Sequence, residues 1–164
     1  MDVCPLVFEP IYRPKIWGGR NLARLLDKTL PPDSDIGESW ECADLDGGQS
    51  IVARGPAMGR SLGDLVREWG TALLGRAQTT DGSFPLLIKF LDASDNLSIQ
   101  VHPDAEATAR LGVAARAKDE AWHVIEARQG AAIYRGLREG VTLEAFASAL
   151  ENNPPSIVAM LHRT

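Results

Sequence analysis

Residues 96–102 alternate strictly between polar and apolar side chains. The polar positions are Asn96, Ser98, Gln100 and His102, and the apolar positions are Leu97, Ile99 and Val101. Because side chains in a β-strand point alternately to opposite faces, the pattern predicts a strand with one polar face. Gln100 and His102 would stand on that face about 7 Å apart at their Cα atoms. The face either is exposed to water or offers an oxygen and an imidazole ligand to a divalent metal ion.

Helical spacing and capping residues predict four helices. After the N-cap Ser61, the apolar residues of the clearest helix share one face, which consists of Leu62, Leu65, Val66 and Trp69. Gly70 ends this helix. The other predicted helices cover 21–26, 103–112 and a segment from Thr142 to the Asn-Asn-Pro-Pro sequence at 152–155, with one or two further helical turns at 156–161.

Strand-like segments outnumber the helices. They cover 6–12, 38–43, 50–53, 84–91, 96–102, 120–126 and 131–134. Pro5, which precedes the first segment, and Pro10 within it limit its pairing and favour an edge position. Residues 84–91 are predicted to form a buried strand. The strands follow one another in hairpin-like succession, with helices inserted between them. This order predicts an α+β fold, mainly β, rather than a doubly wound sheet.

The composition is that of a globular protein with a single domain. A chain of 164 residues is long enough to bury a core, and 45% hydrophobic and 24% charged residues are ordinary globular values. The net charge is −5, and the 17 lysines and arginines are scattered along the chain. We therefore expect neither a nucleic-acid partner nor a membrane-surface partner.

The two cysteines and the N-terminus predict a cytoplasmic protein. Cys4 and Cys42 lie far apart and form no CxxC motif, so a thiolate metal site is not supported and reduced thiols are expected. No basic stretch followed by an apolar run marks a signal peptide, and no apolar segment approaches the length of a membrane span.

Glu120 is the next candidate ligand for a metal ion. Alternation in 120–124 places Glu120 and Trp122 on one face and His123 on the other. Glutamine, histidine and glutamate together form a mixed nitrogen and oxygen set that suits zinc or a similar divalent ion. The alternative for Glu120 is a solvated carboxylate at a strand end. For His123 we favour a packed or exposed histidine over a ligand.

Lys89 and Lys118 are the candidate substrate-binding or proton-transferring residues. Lys89 is the one charged residue within 84–91, and a buried ammonium is costly unless it is paired or faces water. In the predicted hairpin it faces the same cavity as Gln100 and His102, where it serves an anionic substrate or proton transfer. The alternatives are a lysine that extends to solvent from an edge strand and, for Lys118, a solvated charge in a loop.

Five segments in a fixed order resemble a known family. They are Lys15–Gly19, Gly37–Glu41, Phe84–Lys89, Gln100–Pro103 and Lys118–Trp122. Their sequences and order are similar to those of type I mannose-6-phosphate isomerase, a zinc-dependent cupin family, and most of all to its shorter bacterial form. The resemblance covers about residues 5–163.

The resemblance implies a fold, a reaction and a set of site residues. The fold is an incomplete cupin (jelly-roll) barrel with inserted helices, in which residues 1–164 are the N-terminal part of one catalytic domain that ends before the barrel closes. The reaction interconverts mannose 6-phosphate and fructose 6-phosphate by proton transfer between C1 and C2. One zinc ion per chain is implied, with Gln100, His102 and Glu120 as three ligands, and with Lys89 and Lys118 in the substrate pocket.

Two departures from the family pattern limit what this chain is expected to do. Ala117 stands where many relatives have a histidine. The family's fourth zinc ligand, a histidine on a later strand, has no counterpart here, since His162 precedes that strand, and a later arginine is also missing. We therefore expect little or no isomerase activity from these residues alone. The alternative is a truncated cupin that binds metal or sugar phosphate without catalysis. Cupins with other chemistries, such as dioxygenases or epimerases, usually carry two histidines close together on one strand. The Gln-Val-His sequence at 100–102 lacks this pair and therefore counts against that class.

Overall fold

The structure is a computed structural model that describes residues 2–79, 81–112 and 117–164. It divides into two compact units, the first ending at Gln100 and the second beginning at Val101. The helices are α1 (Asn21–Leu26), α2 (Leu62–Trp69), α3 (Thr71–Leu74), α4 (Ala105–Leu111) and α5 (Leu143–Asn152), with a 3-10 helix at Pro154–Met160. The strands are β1 (Val7–Phe8), β2 (Ile11–Gly19), β3 (Ile36–Cys42), β4 (Asp44–Leu45), β5 (Gly48–Gln49), β6 (Val52–Arg54), β7 (Ile88–Leu91), β8 (Tyr134–Leu137) and β9 (Leu161–Arg163). This mixture of helices and open sheets confirms the predicted combination of α and β elements.

A three-stranded antiparallel sheet organises the first unit. Its strand order is β2-β3-β7, and separate two-stranded pairs join β1 with β6 and β4 with β5. Trp40 on the central strand lies opposite Ile11 on β2 and Lys89 on β7. Because successive side chains alternate between faces, Glu38 and Trp40 share one face of β3, and Ser39 and Glu41 share the other.

Two hydrophobic clusters form the core of the first unit. One consists of Val52, Ala57, Leu65 and Trp69, and the other of Leu22, Leu30 and Ile36. The first cluster exists because α2 buries the apolar face that its sequence predicts. Ser61 caps this helix by accepting the Asp64 backbone N–H at 3.1 Å. The predicted boundaries at Ser61 and Gly70 are therefore confirmed.

The second unit contains α4, α5, the 3-10 helix and the β8–β9 pair. Asp104 and Thr142 cap α4 and α5, each accepting the backbone N–H three residues later. The start of α5 after Thr142 is as the sequence predicts, whereas α4 begins at Ala105, two residues after the predicted start at 103. Among the described residues of this unit, Ile157 is the one buried hydrophobic side chain. The second unit therefore depends less on a hydrophobic core than the first unit does. None of the helices in the described part of the chain has both the length and the apolar character needed to cross a membrane.

Two predicted strands are wrong. Residues 96–102 and 120–126 are described throughout, yet neither segment forms a strand. An alternating sequence becomes a strand only when a neighbouring strand accepts and donates its backbone hydrogen bonds. No backbone–backbone hydrogen bond joins 96–102 or 120–125 to another described residue. As a result the apolar positions of the alternation are not buried, and Val101 is 86% exposed.

Three other strand predictions need smaller corrections. Strand β7 covers only the second half of the predicted 84–91 segment, and Leu86 and Ile88 are exposed rather than buried. The segment predicted at 6–12 divides into β1 and the start of β2. The segment predicted at 131–134 is displaced, because β8 begins at Tyr134. These differences arise at strand ends, where pairing partners rather than side-chain pattern decide the boundary.

Candidate functional site

His102 and Glu120 are in direct contact in the second unit. His102 Nε2 lies 2.8 Å from Glu120 Oε2, and Lys118 Nζ lies 3.2 Å from Glu120 Oε1. His102 stands two residues before the N-cap of α4, and Lys118 and Glu120 belong to an irregular segment. Both oxygens of one carboxylate are therefore engaged, one by an imidazole and the other by an ammonium group.

The surroundings of Glu120 hold it in the ionised state. Burial by itself raises the pKa of Glu120, but hydrogen bonds with His102, Lys118 and Trp122, together with the charge of Lys118, outweigh burial and lower the pKa to about 2. Glu120 is consequently a carboxylate at neutral pH. This is the protonation state that a metal ligand requires.

The two side chains fit part of a zinc site. An imidazole nitrogen and a carboxylate oxygen are both ligand types that zinc accepts, and here they lie 2.8 Å apart. Within the described residues, no three side chains of His, Cys, Asp or Glu converge in the way that a metal ion requires. His102 and Glu120 are thus a pair of donors and not a complete set.

A cavity of about 300 Å³ adjoins this pair. Its lining includes His102, Asp104, Lys118 and Asp119, and it lies entirely within the second unit. The lining therefore offers an imidazole, an ammonium group and carboxylates to a small polar molecule. Lys118, with 41% of its side chain exposed, is accessible from solvent.

Gln100 has different surroundings from those predicted. Its side-chain amide donates to Ser98 Oγ at 3.2 Å, and it is the last residue of the first unit. Because 96–102 is not a strand, the predicted strand face shared by Gln100 and His102 does not form. Their common role in metal binding stays a prediction.

Lys89 lies on the sheet of the first unit and is paired. Its Nζ is 3.4 Å from Glu38 Oε1, and the side chains are 18% and 11% exposed respectively. Glu38 also accepts the indole N–H of Trp40 at 2.6 Å. The sequence identified Lys89 but assigned no role to Glu38, because the contact depends on the β3–β7 register. Whether Lys89 faces the same cavity as His102 also stays a prediction.

The remaining candidates agree with the simpler alternatives. His123 is exposed, as expected for a histidine that is not a ligand. Trp69 is buried in the core of the first unit. Trp122 is exposed and contributes a hydrogen bond to Glu120.

Comparison with known proteins identifies the family. Residues 6–126 match the model of phosphomannose isomerase type I, catalytic domain. The chain belongs to this family. The matched range includes every predicted site residue, from Lys89 to Glu120, which confirms the resemblance drawn from the sequence motifs.

Individual type I phosphomannose isomerases show the same similarity. The chain is 36% identical over 151 residues to the mannose-6-phosphate isomerase ManA of Bacillus subtilis, an alignment that covers 92% of this chain and 46% of that protein. It is 38% identical over 136 residues to a mannose-6-phosphate isomerase of Streptococcus mutans, covering 80% of this chain and 40% of that protein. The crystal structure of the mannose 6-phosphate isomerase from Bacillus subtilis matches with a TM-score of 0.76 and 28% identity, over 98% of this chain and 49% of that chain. The chain thus spans about half the length of the relatives that it matches.

Proposed function

We propose that residues 1–164 are the N-terminal part of a single cupin-type catalytic domain, an incomplete jelly-roll barrel, that interconverts mannose 6-phosphate and fructose 6-phosphate. The observation that carries the proposal is the contact of His102, Glu120 and Lys118 within the family-matched range. The relatives named mannose-6-phosphate isomerase in two bacterial species support the same reaction. The substrate class is therefore a small sugar phosphate.

The proposed metal ligands are Gln100, His102 and Glu120. His102 supplies an imidazole nitrogen, Glu120 an ionised carboxylate and Gln100 an amide oxygen, a donor set that suits zinc. When bound, a zinc ion supplies Lewis-acid polarisation of the sugar oxygens. The direct contact of the His102 and Glu120 side chains at 2.8 Å supports their assignment as neighbouring ligands.

The proposed catalytic residues are Lys89 and Lys118. Isomerisation removes the proton from C2 of the aldose and delivers a proton to C1, while a hydroxyl proton moves from O2 to O1, through an enediol-type intermediate. Lysine side chains bind anionic oxygens as ammonium groups and accept protons as amines. Lys118 contacts Glu120 and lines the 300 Å³ cavity, which supports its proposed role in binding a substrate oxygen.

The 164 residues alone are expected to be weakly active or inactive. Two strong donors converge in the second unit, and the described residues contain no larger group of His, Cys, Asp or Glu. This observation favours the second candidate function, a non-catalytic cupin that binds a metal ion or sugar phosphate. The two functions share the metal site and differ in turnover.

Zinc content and turnover of the purified chain test both functions. We expect the wild-type chain to bind zinc, and the Gln100→Ala/His102→Ala double variant to lose most of it. The matched control is His123→Ala, which removes an exposed histidine and should leave zinc content unchanged. Equal zinc content in the wild type and the double variant would contradict the proposed metal site.

A coupled assay with mannose 6-phosphate separates isomerase from binding protein. Turnover that falls on removal of zinc supports the isomerase, whereas bound mannose 6-phosphate without turnover supports the non-catalytic alternative. Turnover at the level of the full-length relatives would contradict the expected weak activity of the chain.

A further inference from the structure

Glu38 and Lys89 form a shielded ion pair on one face of the β2-β3-β7 sheet. The Nζ–Oε1 distance is 3.4 Å, and both side chains are largely removed from solvent. Lys89 lies directly opposite Trp40, so it reaches Glu38 on the diagonal of the antiparallel pair. Because water screens a partly buried pair less than a surface pair, the electrostatic attraction between the carboxylate and the ammonium group is stronger than in an exposed ion pair.

The carboxylate of Glu38 is itself held in place. The indole N–H of Trp40 donates to Oε2 at 2.6 Å, and the Arg13 guanidinium lies 4.3 Å from the centre of the Trp40 ring. Arg13 in turn donates to the Gly47 carbonyl. Oε2 of Glu38 is therefore held by Trp40, independently of Lys89, and Oε1 is the oxygen that contacts Lys89.

Lys89 keeps hydrogen-bonding capacity for another molecule. An ammonium group has three N–H donors, and within the described part of the chain Glu38 is the partner that the structure gives to Lys89. The contact with Glu38 fixes the position of the Lys89 ammonium group and leaves N–H donors for a second acceptor. Such an arrangement suits recognition of a substrate oxygen.

We propose that Glu38 is the positioning residue for Lys89 and that, through this contact, it sets the affinity for the sugar phosphate. The proposal rests on the proposed function, in which Lys89 contacts the substrate. Glu38 itself does not touch the substrate; it acts through the lysine. Substitution to glutamine removes the charge and retains an oxygen that accepts the Trp40 N–H, so Glu38→Gln separates positioning of Lys89 from support of Trp40.

The chain offers a matched control on the opposite face of the same strand. Glu41 pairs with Lys28 at 2.9 Å, with side chains that are 28% and 13% exposed respectively. Glu41→Gln therefore removes an equivalent lysine partner from β3. We assign no substrate contact to Lys28.

The first experiment measures lysine reactivity without substrate. Intact protein is treated with an acylating reagent, and the rate at each lysine is read by peptide mass spectrometry. In Glu38→Gln we expect the rate at Lys89 to rise roughly fivefold, because the side chain loses the charged partner that holds it in place and shields it from the reagent. Glu41→Gln should raise the rate at Lys28 instead, and tryptophan fluorescence should be unchanged in both. An unchanged rate at Lys89 in Glu38→Gln would overturn the positioning role.

The second experiment measures affinity for mannose 6-phosphate by calorimetry in a double-mutant cycle. We expect Glu38→Gln to weaken binding roughly fivefold in the wild-type background and less than twofold in the Lys89→Met background. An equal effect in both backgrounds, or tighter binding in Glu38→Gln, would contradict the proposal. If the wild-type chain does not bind mannose 6-phosphate, the proposed function fails, and the reactivity experiment still decides the positioning role.

Discussion

The two units each contain a lysine–glutamate contact, and the contacts differ in what supports them. Lys89 and Glu38 stand on paired strands and are 18% and 11% exposed, whereas Lys118 and Glu120 stand on irregular backbone and are 41% and 22% exposed. In the first unit, strand register and a buried core fix the backbone beneath the pair. In the second unit, Glu120 is held by side-chain contacts with His102 at 2.8 Å and Lys118 at 3.2 Å. The lysine–glutamate contact is therefore supported by sheet pairing in the first unit and by neighbouring side chains in the second unit.

The largest expected difference between the units is in the core. Leu65→Ala removes a fully buried side chain of α2, and we expect it to lower the free energy of unfolding of the first unit by about 2–5 kcal/mol. Urea unfolding followed by tryptophan fluorescence measures this, because Trp69 packs in the same cluster. The control is Leu143→Ala on α5, where 74% of the side chain is exposed and a change within about 0.5 kcal/mol is expected. Similar losses in the two variants would mean that the second unit has a core of comparable strength.

Helix caps give a smaller and more local comparison. Ser61 and Thr142 each accept a backbone N–H at 3.1 Å, and removing such a cap costs about 1 kcal/mol. We expect Ser61→Ala to lower the global unfolding free energy of the first unit, because α2 carries part of its core. Thr142→Ala should speed amide hydrogen exchange in α5, because the Ala145 backbone N–H loses its acceptor. Unchanged exchange in α5 would contradict the capping role of Thr142.

The smallest expected effect concerns the thiol of Cys42 at the end of β3. Burial raises the pKa of Cys42, and the nearby carboxylate of Asp44 raises it further. Since the thiolate is the reactive form, we expect alkylation by iodoacetamide at pH 8 to be slower at Cys42 in the folded chain than in urea. A raised pKa also means that this difference decreases as the pH rises through the folded value. Peptide-resolved mass spectrometry at several pH values checks this, and equal rates at pH 8 in the folded and unfolded chains would contradict it.

All of the α-helices except the short α3 could be predicted from sequence, because their signals are local. The periodic apolar face of α2, its cap Ser61 and the glycine at 70 lie within ten residues of one another. The caps Asp104 and Thr142 likewise mark the starts of α4 and α5. A capping hydroxyl or carboxylate bonds a backbone group three residues away, so no distant part of the chain is needed.

The strand predictions failed where they required a distant partner. Residues 96–102 and 120–126 have strand-like alternation, yet no strand of the described chain pairs with them. The strand predicted at 38–43 is confirmed as part of β3, because β2 and β7 pair with it on either side. Alternation decides which face a side chain takes, whereas hydrogen bonding to a neighbour decides whether a strand exists.

The candidate residues of the second unit were identified from sequence, but they meet through a different backbone conformation from the one predicted. Alternation predicted that His102 would meet its co-ligand through strand faces, and the structure instead brings His102 to Glu120 through irregular backbone. Glu38 had no sequence signal beyond its place in a family-like motif. Its contact with Lys89 spans 51 positions along the chain, so it follows from register alone.

By itself, the sequence determined α1, α2, α4 and α5, the caps Ser61 and Thr142, the family membership and the identities of the candidate ligands and lysines. These depend on residue type, short-range spacing and the order of motifs. Only the tertiary structure decided which carboxylate holds each lysine, which alternating segments become strands and how the pKa of Glu120 falls to about 2. Those outcomes depend on distances between residues that are remote in sequence or lie on irregular backbone, and electrostatic and hydrogen-bond energies change steeply over such distances.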